Sequence, residues 1–145
     1  MRHSLKIIRS IERASEPGRP DWFTGTVWLD EVAVATPPSS LRVHAVTFEP
    51  GARTAWHIHP LGQILYGLSG IGRVQLANEP VRELRSGDTV FIAPGERHWH
   101  GASPERVFIH LAVQEATASG DEATWFEHVS EEDYGLSPRA AGGEK

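Results

Sequence analysis

A chain that carries His57, His59 and Gln63 between Gly51 and Gly70, then returns with His98 in a second run from Gly87 to His100, has few ways to fold. The first run reads GARTAWHIHPLGQILYGLSG and the second GDTVFIAPGERHWH. Side chains two apart on a β-strand point to one face, so the pattern predicts that His57 and His59 look the same way. Pro60 to Gly62 predict a turn, after which Gln63 opens the next strand. Three imidazoles and one amide oxygen brought together from separate strands can chelate a divalent metal. The competing expectation, that these histidines only pack within strands, is weakened by the joint spacing of all four residues.

The flanking sequence predicts an all-β fold. A strand-rich segment covers Asp21 to Val34, a loop covers Thr36 to Ser40, and LRVHAVTF (Leu41–Phe48) alternates as a strand. Further strands are expected at TAWHIH, QILYGLS, GRVQLA, VRELR, DTVFIA, RHWHGA and RVFIHLAVQE. Turns are expected at Ser69-Gly70, Asn78 to Pro80, Ser86 to Asp88, Pro94-Gly95 and Ser103-Pro104. Many short strands without a long amphipathic helix between them predict an antiparallel barrel or jelly roll. Asp121 to Gly135 is expected to form one or two helical turns, with Ser130 and Asp133 spaced as a capping box. The organisation expected is an N-terminal arm (1–20), one barrel domain (21–135) and a disordered tail (136–145).

Bulk properties narrow the function. The 145-residue chain is long enough for a single core, and its 14 Gly and 10 Pro suit a fold of short strands and turns. A formal charge of −5 argues against nucleic acid, which needs a basic face. There is no cysteine, hence no disulfide or zinc–thiolate site. The segment MRHSLKIIRSIER interrupts its apolar residues with charges, unlike a signal peptide, and no run reaches the length of a membrane span. A cytoplasmic protein acting on a small molecule, with no nucleic acid and no membrane, is the expectation.

The two runs together resemble the cupin pattern. Its first motif is Gly, five residues, His-x-His, three residues, Glu, six residues, Gly; this chain matches except that Gln63 replaces Glu. In the second motif Gly87, Gly95 and His98 keep the spacing, whereas Pro94 sits one place late and Ala102 replaces Asn. A narrower resemblance runs through DWFTGTVWLD, TFEPGARTAWHIHPLGQ, PGERHWHGASP, IHLAVQE and WFEHVSEEDYG to small monocupins that include manganese-dependent, R-selective hydroxynitrile lyases. Those enzymes also use Gln at the position of Gln63. The resemblance implies a cupin-type barrel whose metal ligands are His57, His59, Gln63 and His98, and it implies manganese; iron, zinc and nickel stay open, since three imidazoles accept all of them. A neutral amide in place of a carboxylate leaves the site one charge more positive, which strengthens the metal as a Lewis acid.

Three further histidines are candidate catalytic groups. His100 lies two after His98 and shares its face; His110 shares a face with Ala112 and Gln114; His44 shares one with Val46 and Phe48. Neutral imidazole suits a general base near neutral pH. In the lyase that the resemblance implies, a cyanohydrin hydroxyl meets the metal while His100 or His110 removes its proton as cyanide leaves. The alternatives are another metal-cupin reaction (dioxygenation, or isomerisation or decarboxylation of a small oxo acid) and a non-catalytic cupin that binds a small ligand. His3 and His128 are expected in solvent, Arg53 in hydrogen bonds to nearby carbonyls, and the five Trp in sealing the barrel and subunit contacts. The apolar residues Trp22, Phe23 and Trp28 together with the arm predict a homodimer or homotetramer.

Overall fold

A computed structural model of the chain describes residues 5–138. His3 and the part of the expected tail from residue 139 onward lie outside the described residues. A 3-10 turn at Ser10–Glu12 precedes strands β1 (Glu16–Pro17), β2 (Phe23–Thr24), β3 (Val27–Val34), β4 (Leu41–Phe48), β5 (Arg53–Thr54) and β6 (His57–Ile58). Then follow β7 (Gln63–Leu76), β8 (Arg82–Arg85), β9 (Thr89–Ile92), β10 (His98–Ala102), β11 (Phe108–Glu115), β12 (Thr124–Trp125) and a helical turn, α1 (Glu131–Tyr134). Neighbouring strands run β1-β3-β4-β11-β7-β10-β5-β2, and every pairing is antiparallel. The sheet curls into an antiparallel barrel of the jelly-roll kind. Among the described residues no helix is long and apolar enough to cross a membrane.

Strand β7 closes this barrel by serving both of its sheets. Gln63 to Tyr66 pair with β9 and Gln63 to Gly70 with β11, whereas Ile71 to Val74 pair with β8 and Gly72 to Leu76 with β10. The sequence predicts a turn at Ser69-Gly70, yet the strand continues through it. Gly70 has φ +86° and a Cβ there would strike the Val107 carbonyl, so glycine allows a bend rather than a chain reversal. The ladder with β11 shifts register between Ile109 and His110, beside this bend.

Two apolar clusters hold the walls. Val46, Phe48, Leu65, Val74, Leu84 and Phe108 belong to the main one inside the barrel. At roughly 1.5–3 kcal/mol for each large side chain buried, these residues dominate the stability of the wall. The second gathers Trp56, Val81, Trp99, Val129 and Tyr134 and docks the C-terminal segment. There Arg53, 3% exposed, donates to the carbonyls of Gly51 and Val129, and its guanidinium lies 4.3 Å from the Tyr134 ring centre. Arg53 is thus a structural bolt, in the carbonyl bonds expected of it.

Other expectations are corrected. TAWHIH is not one strand: the Ala55 and Trp56 N–H groups leave it to donate to the Trp22 and Glu127 carbonyls, which splits β5 from β6. Within Asp121 to Gly135 only Glu131–Tyr134 is helical, capped by Ser130 Oγ accepting from the Asp133 N–H at 3.0 Å. Phe23 is buried in the main cluster and Trp22 is partly buried in a stack on Trp125, whereas Trp28 stays 41% accessible. The arm is exposed as well: Leu5 is 73% and Ile11 93% accessible, although Glu16–Pro17 already pairs with the chain's own β3.

Candidate metal centre

The site sits inside the barrel where β6, β7 and β10 begin. His57 and His98 are register partners across β6 and β10, and their rings lie 4.2 Å apart. His59 follows just beyond β6, at the start of a turn tightened by Gly62, whose N–H donates to the His59 carbonyl. Gly62 has φ +82°, and the turn delivers Gln63 to the first position of β7. The His59 ring is 4.9 Å from that of His57 and 5.6 Å from that of His98.

Each of these imidazoles is oriented by the backbone. His57 Nδ1–H donates to the Ala55 carbonyl at 2.9 Å, His59 Nδ1–H to that of Glu122 at 2.8 Å, and His98 Nδ1–H to that of Glu96 at 2.9 Å. With the hydrogen held on Nδ1, the Nε2 lone pair is left for a ligand, an arrangement common around metal-bound histidine. His59 Nε2 is buried with no hydrogen-bond partner. His98 Nε2 faces Gln63 Oε1 at 3.2 Å. Both atoms are electron-pair donors, because the Gln63 amide nitrogen donates elsewhere, to Gln114 Oε1 at 3.1 Å. Two lone pairs so close call for a cation, and the donor set of three imidazoles and an amide oxygen fits a divalent one.

His100 and His110 adjoin this set from β10 and β11. Nitrogens of His57, His98 and His100 come within 4.8 Å of one another, a tighter trio than the one the sequence pattern assigns with His59. His100, however, is not tied to a carbonyl: its Nδ1 lies 2.9 Å from His110 Nε2. His100 Nε2 and His110 Nδ1 are buried without partners. His110 is 0% exposed and packs against Phe48 and Phe108. His44 lines the cavity above the cluster, half-buried, on the inward face of β4 with Val46 and Phe48.

Burial sets the charge of the cluster. It is the main cause that pushes His57 and His100 well below the usual 6.5, lowers His59, and lowers His98 and His110 to about 4. Neighbouring imidazoles push the same way for His57 and His100, as like charges would repel. All five rings are therefore neutral near pH 7, as ligation and base catalysis require.

A cavity of about 430 Å³ opens over the cluster, and His57, His59, Gln63 and His100 line it. Its apolar wall includes Trp22 and Trp125, which stack on each other with centres 5.0 Å apart. Trp125 also stacks on His57 at 4.4 Å. These two tryptophans face the site, whereas Trp56 and Trp99 seal the second cluster as expected. The sequence pattern also misses Glu122, whose backbone and side chain both serve the site from a loop over the cavity mouth. One signal for it exists: Arg42 shares the inward face of β4 with His44, and a cation there asks for an acid across the mouth. His128, by contrast, is exposed.

Comparison with known proteins agrees with this architecture. The family model described as Cupin domain matches residues 44–112. Over 130 residues the chain is 48% identical to an (R)-mandelonitrile lyase of Granulicella tundricola, covering 90% of this chain and 98% of that protein. A cupin-like protein from Thermotoga maritima, 39% identical, superimposes with a TM-score of 0.78 over 88% of this chain and 95% of its own. A polyketide cyclase from Streptomyces resistomycificus shares the fold at 19% identity, with a TM-score of 0.69 over 90% of each chain.

Proposed function

The chain belongs to the cupin family, and on that premise we propose that it is a metal-dependent hydroxynitrile lyase that cleaves and forms R-cyanohydrins of the mandelonitrile type. The observation that carries the proposal is Gln63 beside three carbonyl-oriented imidazoles, in a chain 48% identical to a protein named (R)-mandelonitrile lyase. His57, His59, His98 and Gln63 hold the ion, proposed to be manganese. When bound, it supplies Lewis-acid charge that offsets the negative charge developing on the substrate oxygen.

The rest of the chemistry belongs to side chains. Trp22, Trp125 and Val46 give an aryl group an apolar wall. His100 takes the hydroxyl proton on Nε2; for this its Nδ1 carries a hydrogen and donates to His110 Nε2. That same bond stabilises the imidazolium once it forms. As the hydroxyl becomes an aldehyde carbonyl, the bond to the nitrile carbon breaks and cyanide leaves with the electron pair. His100 then returns the proton to cyanide, which restores the neutral pair. His44, in the cavity lining, is proposed to assist proton movement.

The test is mandelonitrile cleavage by protein stripped with a chelator and reloaded separately with manganese, iron, zinc or nickel. R-selective release of benzaldehyde that depends on the ion is expected. Absence of cleavage with all four overturns the lyase assignment, and oxygen uptake by the iron form would point to dioxygenation instead. We also propose a homodimer or homotetramer assembled through the exposed arm residues Leu5, Ile7, Ile8 and Ile11. A monomeric mass in light scattering would exclude it.

A further inference from the structure

We infer that Glu122 and Arg42 are positioning residues that force Gln63 to present its oxygen, and not its NH2 group, to the metal. The inference rests on the metal site proposed above. A glutamine is an ambiguous ligand, because its amide can turn over at little steric cost and offer a donor where an acceptor is needed. In this chain a line of hydrogen bonds removes that freedom. Arg42 Nη1 donates to Glu122 Oε2 at 2.6 Å, Gln114 Nε2 donates to Glu122 Oε1 at 2.9 Å, and Gln63 Nε2 donates to Gln114 Oε1 at 3.1 Å. Gln63 Oε1 is then left 3.2 Å from His98 Nε2.

The direction of the line follows from its outer end. An ionised carboxylate only accepts, so Gln114 must turn its nitrogen to Glu122 and its oxygen to Gln63. Gln63 must answer with its nitrogen, which aims its oxygen inward. Arg42, which only donates, keeps Glu122 as the acceptor that starts the sequence. Glu122 reaches the metal site a second way, since its backbone carbonyl accepts from His59 Nδ1–H. One loop residue thus orients two ligands from different strands.

Glu122→Gln changes the direction without changing the shape. Arg42 still demands an oxygen, so the new amide turns its nitrogen toward Gln114. Gln114 flips in response and donates to Gln63, whose NH2 group then faces the cavity. Manganese(II), titrated into chelator-stripped protein and followed by electron paramagnetic resonance, should bind about 10- to 100-fold more weakly, the usual effect of an outer partner. The metal-free protein should stay folded, its thermal midpoint lowered only by the weaker bond to Arg42.

A second background separates positioning from mere support. In Gln63→Glu the ligand has no NH2 group to misplace and needs a donor from Gln114, which the reversed line provides. There Glu122→Gln should leave manganese affinity unchanged or raise it. An equal loss in both backgrounds, or no loss in the first, overturns the inference while leaving the metal site intact. A wild-type chain that takes up neither manganese(II) nor zinc(II) overturns the metal site itself, and the positioning role with it.

Discussion

Two groups of histidines form one buried cluster and differ in what holds their hydrogens. In the first group His57, His59 and His98 each donate Nδ1–H to a backbone carbonyl, which the ladder and the turns hold in place. In the second, His100 and His110 bond to each other, and either ring is able to be the donor. A carbonyl only accepts, so it fixes one tautomer; an imidazole partner permits both. The first arrangement leaves a fixed Nε2 lone pair, as a ligand needs, and the second lets a hydrogen sit on either ring. Identical side chains under similar burial thus acquire different chemistry from the atom at their back.

The strongest test of this contrast is to remove a member of the carbonyl-bonded group. His59→Ala should abolish stoichiometric metal uptake, with a loss beyond the 10- to 100-fold typical of outer partners; full retention by elemental analysis would break the division. His100→Ala should keep the metal and lower the rate of cyanohydrin cleavage by about a hundred- to ten-thousandfold. Loss of metal from that variant would instead move His100 into the ligand group, in line with its closeness to His57 and His98.

Smaller effects sharpen the boundary. His110→Phe keeps a ring in the pocket formed with Phe48 and Phe108 but removes the acceptor for the imidazolium. A bond to a charged donor is worth about 1.5–3 kcal/mol, so turnover should fall about ten- to a hundredfold with metal content unchanged. His44→Ala, in the cavity lining, should cost less than His100→Ala in the same assay, below about a hundredfold.

Acid should weaken the metal-free fold itself. The folded His98 and His110 titrate at about 4, the unfolded chain near 6.5. Between those values the unfolded state binds more protons, so stability falls as pH drops through the window, by at most about 1.4 kcal/mol per unit for each ring. A thermal midpoint that stays level from pH 6.5 to 4 would contradict the neutral, buried state assigned to the cluster.

The parts of this protein legible in its sequence are those set by local rules. Period-two alternation marks Leu41–Phe48 as a strand with His44 and Phe48 on one face, and β4 spans those same residues. The spacing of Gly51, His57, His59, Gln63 and Gly70 carries the barrel and its four candidate ligands, because turn glycines and strand lengths are local properties. Gly70 was less legible: a positive φ serves a turn or a bend equally well, and only the flanking pairs with β11, β8 and β10 decide for the bend.

Tertiary structure alone decided which atoms stand behind the site. Arg42 and Gln114 are register partners on adjacent strands, whereas Glu122 reaches them from a loop whose path no residue pattern prescribes. Trp125 comes to lie on His57 through the short pairing of β12 with β6, far from it in sequence. Hydrogen-bond direction and imidazole tautomer depend on partners within about 3 Å, and such closeness between distant segments exists only once the barrel has closed.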